Sequence, residues 1–491
     1  MKRLIALFLA GLLLISCSGG GPNAGNGTES AETEPSPDPT APDAAAETEE
    51  ARKEYPYETE SLGGRTFTYL CCDDELWGSD YQRIEQEELT GESVHDAKYG
   101  RNVRAEELLD MKLAFTKRGI FDLSAELNRA VTAGDSAYDA AYVSLNHYMN
   151  CTGVTVNLRD VDSLHLEESW WDQAFIDTMT IGERYLKASI DYTCLQSQIF
   201  CGVTWFNLDL ITNYGLPSLY DAVREGSWTY DTMDSILGTV VNLNGDDAYV
   251  PASRGKNAVY GVVGQHEETP LFLIQGSGEF LVGKDEGGVP VFVEDRSRLY
   301  DIFDRLASIL SKDGCCILIN TAELIGGDFF WDGRAMFLVD QLAPATSNSV
   351  RESEIRYGIL PVPKYEEKQS GYMTPTSQYS IVWTIPKSAS DPSVSGRVAE
   401  VMNYYGWRDI RPEMITVMTY KGLRDTDSVE MLEIILNSHV SDIGQLSGWT
   451  TSLLNDIIHG MLDGNANAAS LIAKNEKALA ETIERTVKKL D

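Results

Sequence analysis

RTFTYLCC (65–72), VHDAKYGRNVRAEELLD (94–110) and MKLAFTK (111–117) follow one another, and their order decides the fold. The outer two are short apolar and aromatic runs of strand length. The middle one, rich in Ala, Glu, Leu and Arg, has helix length. Strand, helix and strand in succession make a βαβ unit, whose strands lie parallel because a crossover helix separates them. The alternation continues through FDLSAELNRAVTAG (121–134) as a helix and YDAAYVSL (138–145) as a strand.

A second set begins near 185. It opens with YLKASIDYT (185–193) and GVTWFNLDLI (202–211), SWTYDTMDSIL (227–237) opens a helix, and AVYGVVGQ (258–265) is a strand. RSRLYDIFDRLASIL (296–310) is a helix, and RAMFLVDQ (334–341), RYGILPVP (356–363) and YSIVWTIP (379–386) add strands. From 392 the pattern turns helical, with Met402, Met414, Met418, Met431, Leu432, Ile435 and Leu436 at spacings that suit core packing. Two α/β blocks and a helical tail predict an α/β fold of two lobes with a cleft between them.

The N-terminal end points to export. Lys2 and Arg3 precede an apolar run from Leu4 to Ile15, too short for a bilayer but of the length of a signal-peptide core. It ends in LLLISCSGGG (12–21), where Leu14-Ile15-Ser16-Cys17 resembles the lipobox of bacterial lipoproteins. The expectation is a signal peptide over 1–16 and a lipidated Cys17, with more than one acyl chain needed for a durable anchor. Residues 17–61 include TESAETEPSPDPTAPDAAAETEE (28–50), which has little to bury, so they are expected to form a disordered acidic tether.

A net charge of −35 argues against a nucleic-acid partner or an anionic membrane surface, both of which select basic patches. After Cys17 seven cysteines remain, an odd number that closes no disulfide framework; Cys194 and Cys201 could bridge, and small buried thiols are the alternative.

Catalytic signatures are missing. There is no G-x-S-x-G elbow and no H-E-x-x-H helix. GEFLVGKD (278–285) imitates a phosphate loop, but Asp285 stands where Ser or Thr should hold Mg²⁺, and GKDEGGVPVFV (283–293) reads as a hairpin. The six histidines are scattered and CCDDE (71–75) lacks a second half, so no metal site and no cofactor are expected.

Several segments resemble the sugar-type extracellular solute-binding proteins (family 1), the ligand-capturing lipoproteins of ABC importers. They are YDAAYVSLNHYMNCTGVTVNLRDV (138–161), VTWFNLDLITNYGLP (203–217) with SWTYDTM (227–233), and FFWDGRAMFLVD (329–340). YGILPVPKYEEKQSGYMT (357–374) and RDTDSVEMLEII (424–435) are similar to a subgroup of that family. One departure is Asp340-Gln341-Leu342, where some relatives carry a sugar-stacking Trp.

The resemblance implies a periplasmic-binding-protein-like (type 2) fold, with lobe 1 over 62–183 and 374–440 and lobe 2 over 184–373 and 441–491. It also implies a non-enzymatic monomer on the extracytoplasmic face of the membrane, held there by its lipid alone. Such a protein captures a small solute, a carbohydrate first, by hinge closure and passes it to a permease. Ligand contacts are then expected where strands end at the cleft. Asp74, Glu75 and Trp77 follow the first strand, and Asn146 and His147 follow YVSL. Trp171 and Asp172 lie near a crossover, with Trp170 and Trp171 expected to face opposite ways. Asp340 and Gln341 end the Ala-Met strand, and Tyr379 enters the strand returning to lobe 1. A tethered glycan-acting enzyme and a sensory or adhesive module are the rival readings.

Overall fold

The computed structural model describes residues 54–72, 83–182, 184–243, 258–312, 316–318, 320–321, 324–347, 350, 352–465 and 467–488. Cys17, Asp74, Glu75 and Trp77 lie outside them.

Nine strands build two principal sheets. They are β1 (Arg65–Cys72), β2 (Met111–Arg118), β3 (Ala140–Ser144), β4 (Gly202–Asn207), β5 (Tyr260–Gly264), β6 (Cys316–Leu318), β7 (Ala335–Gln341), β8 (Tyr357–Pro361) and β9 (Ile381–Thr384). The first sheet has the order β9-β3-β1-β2 and the second β8-β4-β7-β5-β6. β1 pairs in parallel with both β2 and β3, as the opening βαβ reading requires, and β9 returns antiparallel onto β3. In the second sheet β5 lies parallel between β7 and β6, while β4 runs antiparallel to β7 and β8. Every residue of β3, β4, β5, β8 and β9 is buried, which explains their largely apolar character.

Each sheet has its own core. Phe67, Tyr142, Trp171, Trp383 and Met402 belong to the first, and Trp205, Trp228, Val262, Phe337 and Met414 to the second. The two-lobed α/β fold therefore stands as expected.

Three short segments connect the lobes side by side. Ser377 N donates to Phe200 O at 2.9 Å, Thr374 N to Ser438 O at 2.7 Å, and Thr376 N to Val440 O at 2.9 Å. These bonds tie 195–201, 374–380 and 438–442 into one crossover bundle.

Packing moves several expected boundaries. Residues 54–61 are not part of a tether. Tyr57 stacks on His165 at 3.7 Å, Tyr55 meets Tyr404 at 5.6 Å, and Tyr405 OH donates to Glu54 at 3.0 Å. Two aromatic rings in EYPYETE give this stretch something to bury, so it docks on the first lobe.

Residues 186–194 also join that lobe, because Leu186, Ala188, Ile190 and Cys194 enter its core and Ser189 bridges to Trp383 of β9. The helical tail divides more than once. Ile410, Met414, Met431 and Ile435 pack on the second core, Ile443 and Trp449 on the first, Leu453 and Ile472 on the second, and Ile483 on the first.

The phosphate-loop imitation is a hairpin, with Val282–Lys284 antiparallel to Pro290–Phe292. Cys194 and Cys201 are buried thiols that do not bridge to each other, and burial pushes the Cys194 thiol up to about 12.

Candidate solute site

In α/β sheets the groups that touch ligands gather outside the carboxyl ends of the strands. In the second sheet those ends belong to β5, followed by 265–268, and to β7, which closes on Asp340 and Gln341. In the first sheet β3 ends at Ser144 and runs into the turn Leu145–Asn150.

Segment 374–380 touches both edges. Leu145 N donates to Ser380 O at 2.8 Å and Asn146 N to Gln378 O at 2.9 Å, which sets Asn146 beside Tyr379. Asn146 Oδ1 accepts from Ser144 Oγ at 2.5 Å. Its Nδ2 makes no hydrogen bond to the described residues, so it remains available as a donor.

On the other edge Ser377 Oγ donates to Glu268 Oε1 at 2.5 Å, and Gln341 Nε2 donates to Glu268 Oε2 at 2.9 Å. Ser377 Oγ in turn accepts from Tyr379 N at 3.1 Å. Trp205 Nε1 donates to Gln341 O at 3.0 Å and fixes the end of β7.

Burial governs the electrostatics of this cluster. It pushes the Glu268 carboxyl up to about 7, against the hydrogen bonds from Ser377 and Gln341, while the nearby Asp340 charge pushes the same way. Asp340 rises to about 6 for the same reason, with Gln341 N donating to it at 2.8 Å. The Tyr379 phenol is pushed up to about 12 by burial and then by Glu268 and Glu267. At neutral pH the cluster thus offers a phenol, two amides and carboxyl oxygens close to the proton-exchange point, a set suited to hydroxyl groups that both donate and accept.

Segment 374–380 thus links Asn146 on one edge to Gln341, beside Asp340, on the other, with Tyr379 in the segment itself and Glu268 and Ser377 completing the link. The sequence reading passed over these two. Glu268 follows β5 as Asn146 follows β3, so the strand-end rule would have found it. Ser377 lies in TPTSQYS (374–380), a polar run between strands.

His147 is half-buried at the rim of the first lobe, edge-to-face with Phe121 at 5.9 Å, and its Nδ1 has no hydrogen bond among the described residues.

Trp171 and Asp172 do not serve this site. Trp171 is 1% exposed and packs on Trp383 at 5.7 Å. Its indole donates to Glu400 Oε1 at 2.8 Å while that of Trp170 donates to Glu400 Oε2 at 2.8 Å. The two indoles share one carboxylate, so both are core and neither reaches the rim. Asp172 Oδ1 caps helix Gln173–Met179 by accepting from Phe175 N at 2.9 Å.

No protein-family model and no curated protein matches the chain. Solved structures share its fold. An ABC substrate-binding protein from Listeria monocytogenes in complex with cycloalternan is 13% identical, with a TM-score of 0.52 over 84% of this chain and 99% of that one. A sugar transporter from Rhizobium etli in an open conformation is 14% identical, with a TM-score of 0.57 over 85% of this chain and 99% of that one. The cyclic alpha-maltosyl-1,6-maltose binding protein from Arthrobacter globiformis is 11% identical, with a TM-score of 0.56 over 86% of this chain and 100% of that one.

Proposed function

We propose that the protein is an extracytoplasmic binding protein that captures a small carbohydrate and delivers it to an ABC permease. The observation that carries this reading is the polar cluster of Asn146, Glu268, Asp340, Gln341 and Tyr379, assembled from both strand-end edges around the crossover segment 374–380. A ligand held there touches both lobes, so its binding energy is available to draw them together. The fold is shared with a substrate-binding protein solved in complex with cycloalternan and with a cyclic alpha-maltosyl-1,6-maltose binding protein, which makes oligosaccharides of these kinds the first solutes to try.

The cluster is built for holding. Both oxygens of Glu268 accept hydrogen bonds, one from Ser377 and one from Gln341, which fix the carboxyl in place. In this reading Cys17 carries the lipid, the acidic stretch that follows is the leash, and the protein works as a monomer.

A thermal-shift screen over linear and cyclic oligosaccharides, monosaccharides and peptides tests the proposal. A carbohydrate should raise Tm with occupancy, shrink the radius of gyration in small-angle scattering, and be recovered intact after hours of incubation. Multiple-turnover cleavage, or stabilisation by peptides alone, would replace it. Cys17→Ser should release the protein from membranes; undiminished retention would refute the anchor.

A further inference from the structure

A second cluster sits in the second lobe, next to the solute site. His266 and Glu267 link β5 to helix Glu268–Gly276, and His459 lies on helix Thr451–Leu462, which packs against that helix. One ligand atom from each, two imidazole nitrogens and a carboxylate oxygen, lie within 4.8 Å of one another. The two imidazole centroids are 4.9 Å apart.

The geometry points to a binding site for one transition-metal dication, of zinc type, held by His266, Glu267 and His459. Zinc takes two imidazoles and a carboxylate at bonds of about 2.0–2.2 Å, which in a tetrahedron sets ligand atoms about 3.4 Å apart. The present atoms would have to close by up to about 1.4 Å to reach that spacing. None of the three side chains forms a hydrogen bond or ion pair among the described residues, so nothing has to be broken to bind a metal. Two nitrogen donors select zinc-like ions over calcium and magnesium, which prefer oxygen alone.

Three protein ligands leave a fourth position open to water or solute. Glu267 is close enough to perturb both Tyr379 and Glu268, so the metal would stand at the border of the polar cluster. It would also fasten helix Thr451–Leu462 to the loop that presents Glu268.

The test uses the full chain without a polyhistidine tag, stripped by a chelator and titrated calorimetrically with zinc chloride. One zinc per chain is expected, with no heat from calcium or magnesium chloride. His459→Ala and His266→Ala should each weaken binding at least tenfold with unchanged circular dichroism, and Glu267→Gln should weaken it measurably. Cobalt(II) should give the visible absorption of a four-coordinate site, lost in His459→Ala. Equal zinc affinity in wild type and His459→Ala, or no saturable binding, would overturn the site.

Discussion

Ser377 Oγ donates to Glu268 Oε1 at 2.5 Å, joining the crossover to the loop after β5 through a carboxyl that titrates near 7 instead of its ordinary 4.5. The folded chain therefore holds a proton on Glu268 that the unfolded chain releases at lower pH. Stability from this group is complete below about 4.5 and falls as pH rises through about 7. Removing the titration by Glu268→Gln should leave the variant less sensitive to pH over that window, by on the order of 2–3 kcal/mol between pH 5 and 8. Urea unfolding of both proteins at the two pH values decides it, and parallel pH profiles would refute it.

Glu400 accepts three hydrogen bonds inside the first lobe. It accepts from His165 N at 2.7 Å and from the indoles of Trp170 and Trp171. Glu400→Ala leaves three donors unpaired, each worth about 1–3 kcal/mol when buried, so a loss on the order of 4 kcal/mol is expected. Glu400→Gln, which keeps one acceptor, should lose less. Tryptophan emission should shift in step with the unfolding midpoint; a change below about 1 kcal/mol in Glu400→Ala would show that the indoles find other partners.

Asn146→Ala should weaken the carbohydrate by about 1–3 kcal/mol, because a ligand hydroxyl facing the lost amide would be left unpaired in a closed cleft. Trp171→Ala, by contrast, should act on stability first, since that ring faces Trp383 and Glu400. Calorimetric titration beside urea unfolding separates the two. An Asn146→Ala protein that binds as the wild type does would remove Asn146 from the site.

These residues also show how far the sequence could be read. Strands such as RTFTYLCC announced themselves through composition and length, and their order implied the parallel pairing, because local chemistry alone sets both. The rule that ligand groups lie beyond strand ends pointed to Asn146, Asp340 and Gln341, whose segments bond to the crossover 374–380 in which Tyr379 lies. Trp170 and Trp171 were not legible, since adjacent side chains were expected to diverge and only the distant Glu400 gives both indoles a common acceptor. The docking of 54–61 was hidden in a segment whose composition argued for disorder, where Tyr55 and Tyr57 find aromatic partners on the first lobe. His266 and His459 looked scattered because helix packing brings them together, and such contacts leave no local pattern.

Gly264, the last residue of β5, tests whether the approach to Glu268 depends on close packing. A Cβ at that position would lie 2.0 Å from Thr269 Oγ1 and 2.6 Å from Val339 O, one of them backbone, so something must move. Thr269 Oγ1 donates to Val339 O at 2.6 Å and accepts from Gln265 N at 2.8 Å, which locks the start of the following helix onto β7. Gly264→Ala should therefore cost about 1–3 kcal/mol through overpacking and also lower carbohydrate affinity, because Glu268 rides on the displaced helix start. Gly238→Ala is the control. It lies exposed in helix Tyr230–Val240 with nothing within 4 Å of the added methyl, and should be neutral or stabilising by up to about 1 kcal/mol. Urea midpoints and ligand titrations of the two variants check both halves. If Gly264→Ala lost stability but kept full affinity, the edge of β5 would be structural only, and the solute would have to be held by the remaining members of the cluster.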